Sequence, residues 1–313
     1  MRKSPSAKVF LNGGHGSLAA FIALAGLGVI LAAPLFVLHA ANQDKALKIG
    51  MAKSFLNDKA KSVIDIASED FKKVLTKTTG LAGDLTSSHG ALEVAEKLAK
   101  NQLDVGIFHA HEFAWAQQKH KDLQPILVAV NKQHIERAYV IVHKKNPAKS
   151  IADLKGKKLD MPVGTSEVCR VYLGKLVAGG GGKTPMDFFA SIGKSSAQVE
   201  ALDGVAREKA DVVVVDTVWL EFYKDVKGPT FTNNLRILQE SDVFPPAVIA
   251  YRKNGLDEKR LNQFKAGLLK AHETPEGRDM MKEWNIDAFE APPANYADQL
   301  KAIHKAYPTP TGK

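Results

Sequence analysis

From about residue 46 the chain alternates short runs of β-branched and other apolar residues with stretches of helical periodicity. Runs at 47–51, 104–108, 126–130 and 139–142 read as strands. Between them Val63, Ile66, Ala67, Phe71, Val74 and Leu75 fall on one helical face, as do Leu92, Ala95, Leu98 and Ala99, and a further helix is expected at 113–118. The alternation restarts near Ile151, with strands at 158–161, 212–215, 235–238 and 247–251 and helices at 166–178 and from Trp219 onward. Residues 212–215 are all Val, as a strand buried on both faces requires. The tail carries three more helical stripes, one through Leu261, Phe264, Leu268 and Leu269, one through Met280, Met281 and Trp284, and one through Tyr296, Leu300, Ile303 and His304. Strand–helix alternation predicts an α/β fold with a parallel or mixed sheet covered by helices. The restart implies two such units, with boundaries near 143–150 and 240–247.

The first forty residues follow a different pattern. Arg2, Lys3 and Lys8 are followed by no further Asp, Glu, Lys or Arg until Asp44, and residues 18–38 are almost wholly apolar. The stretch ends in Leu38-His39-Ala40-Ala41. A basic start, an apolar run and small residues at its end describe a secretory signal over 1–41. The run is also long enough to serve as an uncleaved anchor, since about 20 apolar residues can span a bilayer. Both readings place the rest of the chain outside the cytoplasm, in the periplasm or its equivalent. Any membrane contact would be made through this segment alone.

Composition is that of an ordinary globular protein, with 45% hydrophobic residues in 313. The formal charge is +9, and about +6 remains beyond residue 41. That excess suits attraction of an anionic ligand, or simply a soluble lysine-rich surface. There is no dense arginine block and no interleaving of basic with aromatic residues, so nucleic acid is not an expected partner. Cys169 is the single cysteine, so no intramolecular disulfide is available and stability depends on packing. Its place on the apolar side of a predicted helix makes it a core residue.

Candidate chemistry gathers at strand ends and helix starts. Thr165-Ser166 opens a helix, where free backbone N–H groups and the helix dipole favour an oxyanion, although a hydroxyl there also serves as a plain cap. Asp216 ends the valine run and reads equally as a ligand acceptor or as the cap of the helix from Thr217. Ser195 and Ser196 precede another helix with the same two readings. Ser54 and Phe55 follow the first strand, at the edge where α/β proteins bind ligands. His109-Ala110-His111-Glu112 follows a strand and leads to Phe113; the histidines offer a neutral hydrogen-bonding role, a metal site or a surface position. Glycines 179–182 with Lys183-Thr184 imitate a phosphate loop, but Val177 stands where that motif needs Gly, so they read as a helix-terminating loop.

Four segments together resemble a known family. They are Ser150-Ile151-Ala152-Asp153-Leu154-Lys155-Gly156-Lys157-Lys158; Val163-Gly164-Thr165-Ser166; Gln198-Val199-Glu200-Ala201-Leu202 with Ala210-Asp211 and the valine run to Asp216; and Asn101 to Phe108 ahead of Phe113. Over about 46–307 they look like the phosphate/phosphite/phosphonate-binding proteins of ABC transporters, within the type II periplasmic binding proteins. The resemblance implies a two-lobed α/β fold with a ligand cleft between the lobes. One lobe would take 46–143 and 244–313, and the other 144–243, with hinge strands near 138–143 and 247–251. It implies a monomeric exported receptor that captures a small anionic solute of phosphate, phosphite or phosphonate type and hands it to an ABC permease, without cofactor or metal. The alternatives are an enzyme on the same fold, resembling pyrimidine-synthesising members, and a receptor that presents ligand to a membrane sensor. The resemblance together with the strand-end positions points to Thr165, Ser166, Asp216, Ser195, Ser196, His109, Phe113, Ser54 and Phe55 as the ligand-binding residues; where His109 stands the family commonly has a small Gly/Pro loop. In the family Gly164 is commonly Ser and the position of Glu167 is small, so a carboxylate facing the cleft there would repel a dianion.

Overall fold

The computed structural model describes residues 45–57, 61–131 and 136–310, apart from the side chains of 61–64 and 67. The expected signal or anchor therefore lies outside the described residues. Among those described, no helix is long and apolar enough to cross a membrane.

Two mixed sheets carry the fold. The first has six strands in the order β11-β4-β10-β3-β1-β2. Its strands are β1 (Leu47–Met51), β2 (Gly83–Thr86), β3 (Val105–Phe108), β4 (Leu123–Val130), β10 (Ala247–Arg252) and β11 (Ala288–Glu290). β1 runs parallel to β2 and β3, and β10 lies antiparallel between β3 and β4. The second sheet has five strands in the order β7-β6-β8-β5-β9. Its strands are β5 (Ala138–His143), β6 (Lys158–Asp160), β7 (Ser191–Gly193), β8 (Val212–Asp216) and β9 (Leu235–Glu240). Every residue of β8 is buried, as its unbroken valines demand. The segment 138–143, expected at a hinge and at the end of the first lobe, is instead a central strand of the second sheet, paired on both edges. The chain passes between the sheets on either side of β5–β9, before Ala138 and after Glu240, and an isolated antiparallel bridge between Glu136 and Phe244 joins the two crossings.

The helices follow the predicted order, with their faces adjusted. In the first part are α1 (Lys61–Thr79), α2 (Ala91–Ala99) and α3 (Ala110–Lys119), and the second part contributes α4 (Glu167–Gly179), α5 (Pro185–Phe188), α6 (Gln198–Ala206) and α7 (Thr217–Asn234). On α1 Phe71, Val74 and Leu75 are buried, but Ile66 is exposed, and the side chains of Val63 and Ala67 lie outside the described residues. On α2 the buried face is Ala91, Val94, Ala95 and Leu98, so Leu92 turns outward. The three tail helices are α8 (Glu258–Leu269), α9 (Pro275–Glu283) and α10 (Tyr296–Ala306). α8 and α9 pack on α1, and α10 packs on α3, so the C-terminal stripes cover the six-stranded sheet. Cys169 is buried. The glycine-rich segment ends α4, with Gly181 at φ 84°.

Candidate functional site

Both sheets send residues to a cleft of about 220 Å³. From the six-stranded side come Ser54, Phe55 and Asn57 after β1, His109 after β3, Asn131 after β4, and Trp284 after α9. From the five-stranded side come Gly164, Thr165, Ser166 and Glu167 at the start of α4, and Asp216 and Trp219 at the start of α7; Glu136 enters from the crossing. A larger hollow of about 560 Å³, lined by Asp160, Ser195, Glu200 and Arg207 among others, lies against β6, β7 and α6. It draws on the five-stranded side alone, whereas the smaller cleft is lined from both sheets.

The start of α4 is built to leave donors free. Gly164 sits at φ 77°, a left-handed backbone that a serine would adopt only with strain, which accounts for glycine in this loop. Ser166 occupies the N-cap position but its side chain accepts no capping hydrogen bond. Its hydroxyl instead donates to the Cys169 sulfur at 3.3 Å and lies close enough to Asp216 to steady that carboxylate. The first-turn amides of α4 are thus without a side-chain cap, and the positive end of the helix dipole faces the cleft. Thr165 also lines the cleft, but its buried hydroxyl donates to the Pro162 carbonyl at 2.6 Å.

Carboxyl groups dominate the remaining wall. Asp216 is buried and accepts from the Trp219 N–H at 3.1 Å, capping α7; burial raises its pKa. Burial, with the Asp216 charge added, pushes Glu136 up to about 8. Burial and the Glu112 charge push Glu167 up to about 7, against the opposing pull of Arg170 and of Asn57. Asn57 Nδ2 donates to Glu167 Oε2 at 2.7 Å, a hydrogen bond that joins the two sides of the cleft. Arg170 Nε donates to the Thr165 carbonyl at 3.2 Å. Among the described residues that line the cleft there is no Lys or Arg.

A neutral histidine pair adjoins these carboxyls, with His109 itself lining the cleft. The His109 ring stacks on Phe55 at 3.9 Å and on His111 at 5.7 Å. Burial depresses His109 to about 3 and holds His111 well below the usual imidazole range, so both are uncharged at neutral pH. The His109 backbone N–H donates to Glu112 Oε2 at 3.2 Å, and burial raises Glu112 to about 7. The buried Nε2 of His109 and Oδ1 of Asn131 have no hydrogen-bond partner among the described residues. No group of three or more His, Cys, Asp or Glu among those residues could hold a metal ion.

Of the nine residues expected in the site, Ser54, Phe55, His109, Thr165, Ser166 and Asp216 line the cleft. Three do not. Phe113 is fully buried and packs on Phe108 at 5.7 Å; one turn into α3 it points to the core. Ser195 is held by Asp160 through both its amide and its hydroxyl, and Ser196 is held in the same way by Glu200. Asn57, Asn131, Glu136, Trp219 and Trp284 were not foreseen. Trp219 alone had a local signal, standing three residues beyond Asp216 at a helix start.

Residues 55–296 match the family of periplasmic substrate-binding proteins of phosphonate ABC transporters. The chain belongs to this family. Its members are the extracytoplasmic, ligand-capturing components of transporters, which implies a small anionic ligand and a permease partner. Solved structures agree on the two-lobed fold. A Xanthomonas citri protein bound to ATP has a TM-score of 0.57 at 15% identity, over 84% of this chain and 96% of that one. PhnD1 from Prochlorococcus marinus in complex with methylphosphonate gives 0.56 at 14%, over 83% and 97%. The binding-protein component of a Pseudomonas aeruginosa ABC phosphonate transporter gives 0.55 at 15%, over 83% and 85%. No curated protein matches the chain by sequence.

Proposed function

We propose that this phosphonate-binding family member is an exported receptor whose ligand is an aminophosphonate, held between lobes that close about the crossings before Ala138 and after Glu240, where Glu136 bridges to Phe244. The phosphonate oxygens take the first-turn amides of α4 and the Ser166 hydroxyl; the ammonium takes Glu136, Glu167 and Asp216, with Asn131 Oδ1 as a neutral acceptor. One observation carries the reading: an uncapped helix start faces a cleft walled by carboxyls with no Lys or Arg among its described lining residues. A phosphonate dianion alone would meet only donors on one side and carboxylates on the other. An ammonium group on the same molecule turns that repulsion into charge-assisted hydrogen bonds. Phe55, Trp219 and Trp284 also line the cleft, and aromatic side chains attract a cation placed over the ring.

Calorimetry with aminomethylphosphonate and methylphosphonate across pH 6 to 8 tests the proposal. As the pH rises Glu167 and Glu136 ionise, so aminomethylphosphonate is expected to bind more tightly and methylphosphonate more weakly. Parallel pH profiles for the two ligands would remove the ammonium site; binding of neither would remove the aminophosphonate reading as a whole.

A further inference from the structure

Beside the cleft lies a second hollow with almost no polar atoms in its walls. This chamber of about 80 Å³ is walled by Met51, Phe71, Ile107, Met280 and Phe289, among others. Phe55, Ala129, Ala247, Trp284 and Ile286 border both spaces, so the chamber adjoins the cleft and these side chains form the partition between them. Two of them, Ala129 on β4 and Ala247 on β10, are small side chains that leave the partition thin.

We propose that the chamber receives an apolar side chain of the ligand, of about three carbon atoms, branching from the carbon that joins phosphonate and amine. This rests on the aminophosphonate reading of the cleft and narrows it to 1-aminoalkylphosphonates. Three features support it. A dry apolar space gives water no hydrogen-bond partners, so it is poorly occupied unless an apolar group enters. Its volume is about half that of an engineered cavity that takes up benzene, which sets the size of the group. Met51 and Met280 in its wall are flexible, polarisable side chains that fit themselves to an occupant. An inorganic oxyanion would leave the chamber empty; a branched organic ligand fills cleft and chamber together.

The test is a calorimetric series on the full soluble protein: aminomethylphosphonate, then the 1-aminoethyl, 1-aminopropyl, 1-aminobutyl and 1-aminohexyl compounds. Each added methylene is expected to tighten binding about fourfold until about three are buried, after which the gain stops. Met280 borders the chamber and not the cleft, so Met280→Phe fills the space from behind. That variant is expected to bind aminomethylphosphonate as the wild type does and to lose the gain with chain length. If it does not fold, the wild-type series decides alone. Aminomethylphosphonate binding without any gain along the series overturns the chamber and leaves the head-group reading in place. Binding by no member overturns both. A Met280→Phe protein that keeps the full gain also overturns the chamber.

Discussion

Glu167 concentrates the chemistry of the cleft in one side chain. It is the first residue of α4, where a carboxylate ordinarily gains from the helix dipole, yet burial and the neighbouring Glu112 raise its pKa to about 7. The Asn57 amide steadies it from the opposite side of the cleft. Replacing it with Gln keeps an acceptor for Asn57 and removes the charge. If Glu167 holds the ligand's ammonium, Glu167→Gln loses a charge-assisted hydrogen bond of about 1.5–3 kcal/mol. Aminomethylphosphonate affinity is then expected to fall roughly ten- to a hundredfold, while methylphosphonate affinity holds or improves. Titration calorimetry of both ligands on both proteins reads this directly. Equal losses for the two ligands would mean that Glu167 shapes the cleft without touching the amine.

At the scale of elements, Thr165 and Ser166 are neighbours with different employment. The Thr165 hydroxyl is buried on the Pro162 carbonyl, so it holds the loop that delivers α4. The Ser166 hydroxyl stands beside Asp216 at the uncapped helix start. Ser166→Ala is therefore expected to lower ligand affinity about tenfold with little change in melting temperature. Thr165→Ala should cost about 1 kcal/mol of stability, because the buried Pro162 carbonyl keeps only the Thr165 backbone N–H at 3.1 Å, and leave affinity nearly unchanged. Thermal unfolding and calorimetry on the two single variants separate these effects, and a reversed pattern would exchange the two roles. The helix start itself was legible in the sequence because a hydroxyl pair before an apolar stripe is a local signal. β8 was legible because four successive valines admit few other structures. The edge strands β2, β7 and β11 were not, since three or four residues show no period and their order comes from the neighbouring strand. Nor could sequence assemble Asn57, Glu136 and Trp284, which come from a short turn, a chain crossing and a helix end with no motif in common. Phe113 misled because an aromatic residue early in a helix looks alike whether it faces ligand or core.

Across the whole molecule, the buried ionisable groups set a stability profile with opposed slopes. His109, depressed to about 3, and His111 bind fewer protons in the native state than in the unfolded one, so their contribution is lost as pH falls below about 6.5. Glu112, Glu167 and Glu136 are raised above the ordinary 4.5, to about 7, 7 and 8, so the native state binds more protons there than the unfolded chain. Their effect is stabilising at low pH relative to high pH, and stability drains away as pH rises through those values. Above pH 6.5 each histidine has only about 0.4 kcal/mol left to gain as the unfolded imidazole loses its last protons, less than the three carboxyls together lose. The ligand-free protein is therefore expected to melt at a lower temperature at pH 8 than at pH 6.5. Glu112 is buried and stands behind the cleft wall, so Glu112→Gln isolates one member of the set. It should remove about 1 kcal/mol of the decline between those two pH values and leave the variant more stable than the wild type at pH 8. Scanning calorimetry at both pH values on both proteins measures the difference. An unchanged decline would show that Glu112 ionises like a solvated carboxylate. Aminomethylphosphonate should flatten the wild-type decline further, because a ligand cation stabilises the ionised forms of Glu136 and Glu167 in the folded state alone.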